Sequence, residues 1–245
     1  MRRTLLFFFL LFCSQIIFSQ QSKPPSVAFL LGKEALKNEN APLLDETAKA
    51  FNAMKNAAKK EGINLLIVSA YRSYAAQKRI WNRKYKRFRK EGLSPSQTIK
   101  KIIEYSTLPG TSRHHWGTEV DIIDSLPQVA GDVLLEQHFH GGPYTPLRLW
   151  LEKNASRYGF ELVYTRDSLR NGFLYEPWHY SYASLSKDFL MLYLELDALE
   201  QIAKDTTLLG YKHITPSFLS QYKADHILGI AKQLKTNALS KICPD

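Results

Sequence analysis

Apolar residues in this chain recur either every three to four positions or every second position, and the switches between the two spacings mark alternating helices and short strands. From 43 to 60, Leu44, Ala48, Phe51, Met54 and Ala58 share one helical face, and Gly62 follows as the stop. The next run, INLLIVSAYRS, is apolar and β-branched enough for a buried strand ending between Ser69 and Arg72. Ser73 can cap a helix to about Lys90, with Gln77, Trp81, Tyr85 and Phe88 on one stripe. Ser94, Pro95 and Gln97 combine a cap, a proline at the first helical position and a glutamine for a capping box; the helix continues through Ile99, Ile102 and Ile103. TLPGTS breaks it, and TEVDII then alternates as a strand.

Residues 124–144 form a loop-rich insertion, after which Thr145 and Pro146 open a helix carrying Leu147, Trp150, Leu151 and Tyr158. FELVY and, beyond the turn RDSLRNG, FLYEPWHYSYA are the last strand-like segments. From about 187 the spacing turns helical, as an appendage packing on the domain. The pattern predicts an α+β fold, a small mostly antiparallel sheet flanked by helices with a C-terminal helical appendage.

The first twenty residues, MRRTLLFFFLLFCSQIIFSQ, change the picture of where this fold works. Two arginines, an apolar run from Leu5 to Phe12 and polar residues at Ser19 and Gln20 read as a cleaved secretory signal, the run being too short to span a bilayer. An uncleaved anchor and a lipid-modified Cys13 are the alternatives, the second opposed by bulky Phe12. The expected plan is a signal peptide at 1–20, a linker and N-terminal segment at 21–42, a catalytic-sized domain at 43–186 and helices at 187–245.

Only Cys13 and Cys243 occur, so a metal site here must use histidine and carboxylates. Lysine and arginine number 33 against 23 acidic residues, a net charge of +10 that suits an anionic envelope. Lys78, Arg79, Arg83, Lys86, Arg87 and Arg89 surround the rest of the helix and read as a solvated face, with no nucleic acid as partner.

Three segments carry chemistry: SAYRSYAAQ (69–77), SRHHWGTEVD (112–121) and EPWH (176–179). The last two can supply three metal ligands: a histidine at the turn before Gly117, Asp121 along the strand, and His179 from a neighbouring strand. Strand alternation puts Glu119 and Asp121 on one face and Thr118 and Val120 on the other. In EPWH, Pro177 favours a bulge or a strand start, which lets Glu176 and His179 reach one site. His115 reads as a flanking residue or supporting donor, and His138 and His140 as loop surface.

In their order and spacing, YRS…Q, SRHHWGxxxD and EPWH resemble the VanY-type D-alanyl-D-alanine carboxypeptidases, within the wider group of lysostaphin-type and hedgehog-like zinc peptidases. The resemblance covers roughly residues 45–185. It implies that His114, Asp121 and His179 ligate Zn2+ and that Glu176 is the catalytic base acting on a zinc-bound water. It also implies that Arg72 meets the substrate's terminal carboxylate or the developing oxyanion, with Ser112 and Gln77 as substrate contacts. Glu119 departs from relatives that carry a small residue there; it could tune the metal, bind substrate amines or be spare, and it is the alternative base.

The implied activity is removal of a terminal D-alanine, from D-Ala-D-Ala or an L,D bond, on peptidoglycan stem peptides by an exported monomer in the periplasm or cell envelope. A cross-link endopeptidase, a non-catalytic zinc-containing wall-binding module and a basic metal-dependent nuclease are the competing readings. The walls that choose among substrates are expected from residues 124–144 and 165–172.

Overall fold

The computed structural model describes residues 25–36 and 42–235. The expected leader and both cysteines lie outside them. The elements in chain order are α1 (Val27–Leu30), α2 (Asp45–Lys60), β1 (Leu65–Ser69), α3 (Tyr74–Lys90), α4 (Pro95–Ile103), β2 (Glu119–Asp124), α5 (Glu136–Phe139), α6 (Thr145–Asn154), β3 (Phe160–Leu162), β4 (His179–Tyr182), α7 (Ala183–Glu195), α8 (Ala198–Ala203) and α9 (Pro216–Tyr222). Local signals set several boundaries. Ser73 Oγ accepts from the Ala76 amide, and Ser94 and Gln97 close a reciprocal capping box over the first turn of α4.

The four strands form one antiparallel sheet in the order β1-β2-β4-β3. Its centre is β2, where Asp121 stands opposite Ser69 on one side and His179 on the other, and Glu119 stands opposite Ser181. Val120, Ile122 and Tyr180 point into an apolar layer with Phe51 and Met54 of α2 and Leu147, Trp150 and Leu151 of α6. Strand alternation therefore turns Glu119, Asp121, His179 and Ser181 to the opposite face together.

β1 differs from the buried strand that its apolar run predicts. It lies at the sheet edge with a neighbour on one side, and Leu66 and Val68 are 44% and 43% exposed while Leu65 is buried. Its ladder shifts register between Ile67 and Ser69, a bulge that ends the strand just before Arg72.

The second apolar cluster joins the N-terminal and C-terminal parts of the described residues. Leu30 and Leu31, in the stretch expected as linker, pack with Trp81, Ile99, Ile102 and Trp116 and with Phe189, Leu190, Tyr193, Ile202, Leu219 and Tyr222. Trp116 Nε1 donates to the Leu30 carbonyl at 3.1 Å, and Tyr193 Oη donates to the Gly110 carbonyl at 2.9 Å. The C-terminal helices thus pack on the domain by completing its core, and the division expected at 186/187 falls inside α7. Periodicity showed these segments to be amphipathic but not which surface they cover.

Phe189 meets Phe29 and Trp116 edge-to-face, with ring centroids 5.7 and 6.3 Å away. Phe189→Ala is expected to lower stability to urea by about 3 kcal/mol. A loss of only about 0.5 kcal/mol, as at a surface position, would contradict a shared core.

Candidate functional site

Two loop segments are pinned to each other before any strand contributes. The Arg72 amide donates to the His114 carbonyl at 3.0 Å, and His114 Nδ1 donates to the Ala70 carbonyl at 2.7 Å. His115 Nε2 accepts from the Gly110 amide at 3.1 Å, which leaves Nδ1 protonated to donate to the Arg72 carbonyl. Burial pushes His115 down to about 3; the bond to the Arg72 carbonyl opposes this, the charges of Arg72 and His114 add to it, and the ring stays neutral in this role. It is the fastener between the 70–72 and 108–115 segments, in line with its reading as a supporting donor, although the sequence did not show which groups it would join.

Residues 113–116 make one tight turn that Gly117 ends at φ 69°, a left-handed conformation. A Cβ there would also come within 2.9 Å of Leu36. The turn carries His114 back over the sheet face that bears Asp121. On β4, the His179 amide donates to the Glu176 carbonyl at 3.1 Å, a turn across Pro177 that brings Glu176 and His179 to the same side.

His114, Asp121 and His179 each offer one ligand atom, and these atoms lie within 4.8 Å of one another, with all three residues buried. His114 Nε2 is 3.4 Å from Asp121 Oδ2, and His179 Nδ1 is 3.5 Å from Asp121 Oδ1. Glu176 Oε2 lies 3.1 Å from the same His179 Nδ1. Asp121 Oδ1 has no hydrogen-bond partner although it is buried, and His114 Nδ1 is engaged, leaving Nε2 facing inward. A carboxylate oxygen and two imidazole nitrogens left converging in this way fit a divalent transition metal. Among the described residues no other group of three metal-ligating side chains occurs. His138 and His140 turn to separate partners, the Asp132 carbonyl and the Tyr175 hydroxyl.

Two carboxylates buried on one strand face need compensation. Burial would raise Glu119, but Arg113, His179 and Ser181 overcome it and hold it down to about 2. Its Oε1 accepts from Arg113 Nη2 at 3.1 Å, Ser181 Oγ at 2.7 Å and Thr118 Oγ1 at 3.1 Å; its Oε2 lies 3.1 Å from His179 Nε2. Burial likewise opposes a charged His179, yet Glu119, Glu176 and Asp121 push it up to about 10 in the absence of metal. Asp121 is lowered against its own burial by His114, His179 and Arg72.

The cluster of His114, Asp121 and His179 opens into a cavity of about 310 Å³. Arg72, Ser112, Glu176 and Trp178 line it, as do Lys84, Arg113, Tyr164 and Phe173, which sequence reading did not single out. The Ser112 hydroxyl is buried without a partner and free for a ligand. Gln77 is placed otherwise than expected: it does not line the cavity. Its Oε1 accepts from Arg72 Nη1 at 3.1 Å and its amide donates to the Thr107 carbonyl at 2.8 Å. It holds the arginine from behind, with Ser69 Oγ accepting from Nη2 at 2.7 Å. Lys84 is half-buried on α3; burial lowers its pKa, with Arg87, Arg83 and Arg72 adding to it. Its signal was its place three residues after Trp81 on the inward stripe. Of the expected walls, Asp132 and Leu134 come from 124–144; the second wall is Phe173, just beyond 165–172.

The family model for VanY, D-alanyl-D-alanine carboxypeptidase, matches residues 40–185. A D-alanyl-D-alanine carboxypeptidase of Enterococcus faecalis is 28% identical over 132 residues, 53% of this chain and 44% of that protein. Another from Enterococcus faecium is 28% identical over 164 residues, 66% of this chain and 44% of its own length. The chain therefore spans less than half the length of either relative. Among solved structures, a variant of the vancomycin-resistance D,D-pentapeptidase VanY with Zn(II) aligns at 25% identity and a TM-score of 0.47, over 61% of this chain and 76% of the other.

Calorimetric titration of the purified chain with cobalt(II) is expected to find one site per molecule, abolished by His179→Ala. Unchanged stoichiometry in that variant would place the ion elsewhere.

Proposed function

This chain belongs to the VanY family of D-alanyl-D-alanine carboxypeptidases, and from that membership we propose that it is a zinc-dependent carboxypeptidase removing a terminal D-alanine from peptidoglycan stem peptides. The observation that carries the reading is the convergence of His114, Asp121 and His179 with Glu176 at one end of a cavity that Arg72 also lines. Two imidazoles and one carboxylate are a ligand set used by catalytic zinc, three protein groups with coordination to spare. A bound zinc ion would act as a Lewis acid and lower the pKa of water toward ~7.

The chain's own residues account for the remaining steps. Glu176 is partly exposed to the cavity, so it can take a proton from the attacking water and return it to the departing amine. Arg72 is largely buried, which lowers its pKa, while Asp121 and Glu176 counter that effect; it keeps its charge and can bind the terminal carboxylate. Gln77 and Ser69 fix the guanidinium from behind, so little of its freedom is lost on binding. Ser112 Oγ can donate to the peptide, and Lys84 adds a second positive charge to the wall. The signal-like pattern of the first twenty residues and a peptidoglycan substrate both support the cell envelope as the site of action in this reading; among the described residues no helix is long and apolar enough to cross a membrane.

Purified protein should be incubated with pentapeptide and tetrapeptide stems and with cross-linked dimers, and the products weighed by mass spectrometry with and without chelator. The reading predicts loss of one alanine from a stem, abolished by chelation and restored by zinc; loss from the pentapeptide assigns the D,D bond, from the tetrapeptide the L,D bond. Cleavage of dimers alone would replace it with an endopeptidase, and metal binding without any cleavage with a wall-binding module.

Glu176→Gln is expected to retain the metal and lower kcat by roughly 10²- to 10⁴-fold. Unchanged kcat would remove Glu176 as the proton carrier.

A further inference from the structure

Glu119 is the carboxylate that neither the proposed metal set nor the proton transfers use, yet it is fully buried two residues from Asp121. A buried acid without a task would be a cost that a small side chain avoids, and this one is enclosed by dedicated partners. Its two oxygens are engaged differently. Oε1 takes all three donors from the protein, Arg113 Nη2, Ser181 Oγ and Thr118 Oγ1. Oε2 is directed to a single group, His179 Nε2, at 3.1 Å.

That division decides which nitrogen of His179 keeps its proton once a metal ion takes the place of the other proton. A carboxylate held by Arg113 can only accept, so it requires hydrogen on Nε2, and a neutral His179 then presents the lone pair of Nδ1. Nδ1 is the atom that faces Asp121 Oδ1 and Glu176 Oε2. The same logic operates at His114 with the nitrogens exchanged, where a backbone carbonyl of Ala70 takes the Nδ1 proton and frees Nε2. We propose that Glu119, anchored by Arg113 and Ser181, is a positioning residue that holds His179 with Nε2 protonated and Nδ1 turned to the metal. The inference rests on the zinc reading above and deepens it.

The geometry makes an unusual demand on the isosteric variant. In Glu119→Gln the three donors around Oε1 select the amide oxygen, so the NH2 group must face His179 Nε2 and donate to it. The imidazole proton is then driven to Nδ1, the position needed for the metal. Glu119→Ala removes this opposition, because a water can accept from Nε2 in the vacated space.

The test is zinc affinity by competition with a chromophoric chelator, for wild type, Glu119→Gln and Glu119→Ala, alongside the visible spectrum of the cobalt(II) forms and the urea midpoint. The expected result is a zinc affinity roughly 10- to 100-fold weaker in Glu119→Gln, with an altered cobalt spectrum. Affinity in Glu119→Ala should exceed that of Glu119→Gln even though alanine, which strands buried Arg113, unfolds at lower urea. A merely structural Glu119 would give the opposite order, with affinity following stability. Glutamine binding zinc as tightly as wild type overturns the proposal. Wild type binding no zinc overturns the metal reading itself, a result distinguishable because it needs no variant.

Discussion

Two carboxylates, Glu119 and Asp121, are buried on the same face of the central strand, and their charge dictates the construction around them. Burying an ionised carboxylate is tolerated only where cations or donors replace the lost water. Arg113, Ser181 and Thr118 do this for Glu119. His114, His179 and Arg72 surround Asp121, whose Oδ1 is nonetheless left without a hydrogen bond. The first carboxylate is fully satisfied by the protein and the second is not. This asymmetry is what separates the two in the proposed roles, Glu119 as a supporting group and Asp121 as a candidate ligand.

Positioning follows from the same constraint. The register that sets Asp121 opposite His179 sets Glu119 opposite Ser181, so one antiparallel pairing delivers both the candidate ligand pair and the pair proposed to support it. His114 arrives from a short turn, which is tied to the 70–72 segment through its own ring, its carbonyl and the neighbouring His115. Arg72 is tied by the same bonds, so the residue proposed to bind substrate and the residue proposed to bind metal cannot move independently. The C-terminal helices reach this region through Ser186, which is 2.7 Å from Ser181, and through the aromatic packing on Trp116. Holding a site on strands and a doubly pinned turn preserves its geometry at little cost on binding. The cavity walls, by contrast, come partly from loops, where substrate choice can vary without disturbing the centre.

Much of this was legible in the sequence wherever the signal is local. Capping residues marked α3 and α4, alternation put Glu119 beside Asp121, and Pro177 marked the turn that joins Glu176 to His179. What was not legible depends on partners far away in the chain. Gln77 was expected at the substrate only from the family resemblance, and a polar residue near an arginine carries no mark of which side it stands on; it stands behind Arg72. His115 was left between a flanking residue and a supporting donor because its donor and acceptor partners lie in different loops. Arg113 drew no notice, although an extra buried acid at 119 calls for a nearby cation. The edge position of β1 and the seating of α1 in the core are likewise choices among surfaces that periodicity leaves equal.

The central claim is that one metal ion is held by His114, Asp121 and His179, the last through Nδ1. A crystal grown with zinc and measured on both sides of the zinc absorption edge tests this directly. The account predicts a single strong anomalous peak about 2.0–2.2 Å from His114 Nε2, an Asp121 carboxylate oxygen and His179 Nδ1, with Glu119 against Nε2. A peak coordinated by His179 Nε2, or one at His138 and His140 with the central cluster empty, would contradict it.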